Sequence, residues 1–137
     1  MEPESKAERI ALLTELRAAK EIEVRYLNEP KPHVKRFFRR SDSESNAGTA
    51  LLQAIEADFL KRPNGSQSRC GFHADVAILS KMMRTLKTEL CFGCREIRVQ
   101  DLDAKEPRYV YWSMVKADEL KVAVRLLFPG VPLGRER

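Results

Sequence analysis

The sequence predicts an α+β fold, a helical domain closed by a C-terminal β-hairpin. Two observations carry this. Apolar residues recur at helical spacing in four segments, residues 5–20, 47–61, 74–88 and 116–128. After Cys94 the period changes: "REIRVQD" alternates around Ile97 and Val99, and "RYVYWSMV" is rich in aromatic and β-branched residues. At 137 residues the chain has the length of one domain, divided into an N-terminal helix and basic segment (1–46) and a core (47–128).

The first helix is expected over 5–20, where Ile10, Leu13 and Leu16 share a face and Ser5 with Glu8 has the capping-box form. "EIEVRYLN" follows. Ile22, Val24 and Tyr26 alternate with Glu23 and Arg25, which fits a half-buried strand or a continuation of the helix. Pro30 and Pro32 then break any regular element. "HVKRFFRR" is the most basic local stretch, with Lys35, Arg36, Arg39 and Arg40 flanking Phe37 and Phe38. A polar linker, "SDSESN", ends in good N-cap residues. The second helix, 47–61, places Leu51, Leu52, Ile55 and Phe59 on one face, and "RPNGSQS" stops it.

The clearest helical stripe is the third, 74–88: Val76, Leu79, Met82, Met83 and Leu86, opposite Lys81, Arg84, Thr85 and Thr88. "REIRVQD" and "RYVYWSMV" then pair as a hairpin across "LDAKEP". The last helix carries Leu120, Ala123, Val124, Leu127 and Phe128 inward, and Pro129 with Gly130 ends it.

The order helix–helix–hairpin over residues 47–115 resembles a winged helix-turn-helix. The resemblance is one of element order and implies a DNA-binding layout. The third helix would enter the major groove with Lys81 and Arg84 nearest the bases. Arg95, Arg98, Lys105 and Arg108 would track phosphates from the hairpin. Charge agrees in sign: the formal net charge is +5 and the sequence pI about 9.3, which favours an anionic partner. Lys35, Arg36, Arg39 and Arg40 form a second basic set, with Phe37 and Phe38 available either for stacking on bases or for the core.

All three cysteines and one of two histidines lie in "CGFHADVAILSKMMRTLKTELCFGC", as Cys70-x2-His73 and Cys91-x2-Cys94. Two x2 pairs at this separation match a structural zinc spacing with one histidine ligand. Closure on one ion requires the third helix to end early enough for Cys91 and Cys94 to return. The competing reading makes the cysteines small buried hydrophobes. The same residues resemble the zinc-deaminase signature, H-x-E followed by P-C-x-x-C. That resemblance implies His73, Cys91 and Cys94 on the metal and Asp75 as proton shuttle. Asp75 stands where that family has glutamate, Leu90 where it has proline, and the interval is shorter than its helix and strand require.

There is no Gly-rich phosphate loop, H-E-x-x-H or G-x-S-x-G. No segment has the ~20 apolar residues of a membrane helix, and "MEPESKAERI" has no apolar core of a secretory signal. The expectation is a cytoplasmic, non-catalytic nucleic-acid-binding protein with no membrane contact. The alternative is a protein-interaction module, meaning an adaptor, a nucleoprotein subunit or an inhibitor of a nucleic-acid-binding partner. The deaminase-like enzyme is the lesser alternative.

Overall fold

The computed structural model describes residues 14–16, 18–28, 33–41, 46–60, 71–81, 84–105 and 109–134. Among them the elements run β1 (Glu21–Tyr26), β2 (His33–Phe38), α1 (Ala47–Leu60), β3 (Val76–Lys81), β4 (Thr85–Cys91), β5 (Glu96–Asp101), β6 (Tyr109–Ser113) and α2 (Ala117–Leu127). The strands form one six-stranded sheet in the order β2-β1-β3-β4-β5-β6. Every neighbouring pair is antiparallel.

This overturns the helical domain with a C-terminal hairpin, and the winged-helix order with it. The third helix does not exist. Residues 76–81 and 85–91 are two strands of a hairpin, each residue of β3 facing one of β4 from Val76↔Leu90 to Lys81↔Thr85. The cause is legible in the packing. Val76, Ile78 and Ser80 are buried on one face of β3, but Ala77 is buried on the other. A strand apolar on both faces loses its period-2 signal, and "VAIL" then reads equally well as helix or buried strand. "EIEVRY" is strand β1, and "HVKRFF", the most basic local stretch, to which the sequence assigned no element, is strand β2. Residues 14–16 and 18 are helical; the rest of the first expected helix lies outside the described residues.

Register fixes which side chains share a face. Val24, Ile78, Thr88 and Val99 stand side by side across four strands, as do Tyr26, Val76, Leu90 and Ile97. These rows join Leu51, Leu52 and Ile55 of α1 and Leu120, Val124 and Leu127 of α2 in a single core cluster. Both helices therefore cover the same face of the sheet.

Each helix start has a physical reason. At α1, Asn46 and Thr49 cap one another: the Thr49 amide donates to Asn46 Oδ1 at 2.9 Å, and the Asn46 amide to Thr49 Oγ1 at 2.8 Å. At α2, Lys116 offers no side-chain cap. The fully buried Asp58 of α1 takes over, accepting the Val115 amide at 3.0 Å and the Lys116 amide at 2.6 Å. One carboxylate thus satisfies orphan donors of one helix from within another and pins the two together.

The described helices include none long and apolar enough to cross a membrane.

Candidate functional site

The sheet face away from the helices is exposed along β2, whereas further in Ala77, Glu89 and Glu96 are buried on it. Antiparallel register places Val34 opposite Arg25, Arg36 opposite Glu23 and Phe38 opposite Glu21. Val34 is 48 % exposed and Phe38 64 %. His33, Lys35 and Phe37 point to the helix side. Phe37 packs beneath α1, where a Cβ added to Gly48 would come within 2.6 Å of its ring. Lys35 Nζ lies 5.8 Å from the centroid of Phe128.

The backbone of β2 is asymmetric in a way that side-chain pattern does not show. The Arg39 amide, continuing the strand, donates to Lys20 O at 2.9 Å. Bonded and non-bonded pairs alternate along an antiparallel ladder. Lys35 and Phe37 therefore spend their amides on β1, while the amides and carbonyls of Val34, Arg36 and Phe38 point away from the sheet. β2 is a terminal strand, so among the described residues this outward row meets no neighbouring strand.

Beside it lies a shallow depression of about 270 Å³, lined by Glu21, Ile22, Glu23, Arg25, Arg36, Leu79 and Lys81. Glu23 is its hub: Arg25 Nε donates to it at 2.7 Å and Arg36 Nε at 2.9 Å. Burial works to raise the Glu23 pKa, but the hydrogen bonds and charges of Arg36 and Arg25 outweigh it and hold the carboxyl below its ordinary value.

The structure does not gather the expected nucleic-acid residues into one surface. Arg39 is buried, and its guanidinium donates to Ala19 O from Nε at 2.9 Å and Nη2 at 2.6 Å. Arg84 sits in the β3–β4 turn, clamped by Glu15 and, at 2.6 Å, by Asp101. Glu15 above all, helped by Asp101 and against burial, pushes its pKa further up. Burial pulls Arg98 down, but Glu89 at 2.7 Å outweighs it and raises the net value. The Arg98 guanidinium also lies 4.2 Å from the centroid of Phe72. Arg95, in the β4–β5 turn, holds a positive φ of 55° and is exposed. Lys81 is exposed on the open face, and Lys35, Arg36 and Arg40 are exposed on and just beyond β2. Arg108 lies outside the described residues.

Three of the four residues of the cysteine–histidine set lie among the described residues. Cys70 lies outside the described residues. His73 is exposed, with Nε2 3.0 Å from Asn28 Oδ1. Cys91 is a buried free thiol. Cys94 is disulfide-bonded, its sulfur 3.3 Å from Gly71 O. A disulfide sulfur is not the thiolate that zinc takes. Among the described residues no three His, Cys, Asp or Glu side chains are grouped to hold a metal ion.

Asp75 has a structural task. It is 2 % exposed, and its carboxylate accepts Asn28 Nδ2 at 2.5 Å, the Phe92 amide at 2.9 Å and the Gly134 amide at 3.1 Å. It thus ties the end of β1, the β4–β5 turn and the C-terminal tail to the start of β3. Gly134 fits there because its φ is +69° and an added Cβ would meet the Gly93 nitrogen at 2.9 Å. Nearby, Tyr26 Oη donates to Pro132 O at 2.8 Å, and burial, reinforced by Asp75, pushes its phenol pKa up.

Comparisons with protein-family models, with curated proteins and with solved structures return no match.

Sequence reasoning singled out the basic side chains of β2 but missed its outward backbone groups. The available signal was the alternation of Val34, Arg36 and Phe38 after a Pro-x-Pro boundary, with no acidic residue in the strand.

Proposed function

We propose that this chain is a non-catalytic protein-interaction module that recruits an extended segment of a partner by strand addition to β2. The observation that carries the reading is the outward row of amides and carbonyls at Val34, Arg36 and Phe38, beside two exposed apolar side chains. An open edge of this kind is a template for another strand. Main-chain bonds would supply the affinity and the alternate side chains the selectivity.

The test is a display selection of random heptapeptides against the full chain and its Arg36→Pro variant. Proline at an outward-facing position removes one edge donor without touching the bond to β1, and a melting curve checks that the fold survives; Val34→Pro repeats the test at the neighbouring outward amide. Enrichment with wild type that vanishes with both proline variants is the expected result. No enrichment, or equal enrichment throughout, overturns the reading.

A second reading, nucleic-acid binding, is favoured by Phe38, which stands 64 % exposed between exposed Arg36 and Arg40. Phe38 would stack on a single-stranded base while the arginines contact phosphates. It calls for binding to a thymidine oligonucleotide that weakens steeply with salt and is lost in Phe38→Ala. Absence of binding at low salt sinks it.

A further inference from the structure

From the charge along this edge we infer that the strand added to β2 is acidic, an antiparallel segment of the form apolar, any, acidic, acidic, apolar. The inference rests on the strand-addition reading and names its partner. The stretch from His33 to Arg40 contains Lys35, Arg36, Arg39 and Arg40 and no acidic residue. Lys35 and Arg36 are both exposed, one toward each face of the sheet. Residues directly opposite on neighbouring strands share a face, and opposite charges there attract while like charges repel. An incoming antiparallel strand therefore meets, in its own N-to-C order, Phe38, Phe37, Arg36, Lys35 and Val34. Apolar residues suit Phe38 and Val34, and consecutive acids suit Arg36 and Lys35.

The same geometry argues against a second copy of this chain. The outward row consists of Val34, Arg36 and Phe38, so two β2 strands bond only with these residues against one another. The two antiparallel registers that overlap most of the strand put Lys35 opposite Lys35 or Arg36 opposite Arg36. Both set like charges directly across the new ladder. Edge lysines and arginines are a known means of keeping sheet edges from pairing with themselves, and an acidic partner is the strand that this barrier does not exclude.

Three blocked peptides serve as probes, with the cores Leu-Thr-Glu-Glu-Val, Leu-Thr-Gln-Gln-Val and Leu-Thr-Lys-Lys-Val. Affinity is measured by titration, and contact by hydrogen exchange at individual amides. Expected is slowed exchange at Val34, Arg36 and Phe38 with the acidic peptide and affinity roughly tenfold above the glutamine peptide, the size of two cross-strand charge pairs. The double variant Lys35→Gln with Arg36→Gln keeps the edge amides and is expected to bind the acidic and glutamine peptides alike. Equal protection by all three peptides on wild type overturns the acidic preference and leaves strand addition standing. Protection by none overturns strand addition itself. Concentration-dependent protection without peptide assigns the edge to a second copy and also overturns the inference.

Discussion

Replacing Thr88 by valine is expected to stabilise the protein. Thr88 lies at the centre of the sheet on the helix-covered face, between Ile78 and Val99 in register. It is 0 % exposed, and its Oγ1 meets no hydrogen-bond partner among the described residues. An unpaired buried hydroxyl costs about 1–3 kcal/mol in lost hydration. Valine keeps the branched shape and strand preference and puts a methyl group among aliphatic neighbours, so a net gain of about 1–2 kcal/mol follows. Unfolding entropy of about 2.1 cal/mol/K per residue over 137 residues converts each kcal/mol to roughly 3–4 °C. The melting temperature of Thr88→Val should rise by about 3–7 °C, and a urea titration should show a higher midpoint at unchanged slope. Thr88→Ser keeps the hydroxyl, loses the methyl, and should fall by about 1 kcal/mol. A valine variant as stable as wild type or less so would show that the hydroxyl is satisfied and that the core row is not the dry aliphatic surface described above.

Three further outcomes test other parts of the structure. Asp75→Asn turns one end of a buried acceptor into a donor facing the amides that Asp75 now accepts; a loss of roughly 2–4 kcal/mol in a denaturant titration is expected, and full stability would refute its tying role. Gly48→Ala gains about 1 kcal/mol of helix propensity but drives a Cβ to within 2.6 Å of Phe37 Cδ2 and 2.9 Å of Cγ. Overpacking should win and leave the variant about 1 kcal/mol less stable; stabilisation would mean that the ring yields freely. Glu23, whose folded pKa lies below the ordinary value of a glutamate, contributes stability above that ordinary value and loses it as pH falls through the folded pKa. The stability gap between wild type and Glu23→Gln should therefore be present near neutral pH and close below about pH 4. A gap independent of pH would remove the carboxylate as its source.

Local signals were readable where one cause decides the outcome. The α1 helix over Ala47–Leu60 and the α2 helix over Ala117–Leu127 follow from apolar stripes bounded by Asn46 at one start and Pro129–Gly130 at one end. The β5–β6 hairpin follows from alternation. The centre of the fold was not readable, because β3 is apolar on both faces and the spacing from Val76 in β3 to Leu86 in β4 is compatible with a helix. The site suffered for the same reason: Arg84 looked like a reading residue on a helix face and is a clamped turn residue.

By itself, the sequence determined the basic character of the 33–40 stretch, the caps and breakers of two helices, and the concentration of cysteines in one segment. These depend on residue type and near neighbours alone. Tertiary structure decided which cations remain available, since Arg39 and Arg84 are engaged by groups distant in the chain and Arg98 by Glu89 on the neighbouring strand. It also decided that Asp75 is a tie and that Val34, Arg36 and Phe38 turn their backbone outward. Strand order and register set those facts, and both come from long-range pairing that no local pattern encodes.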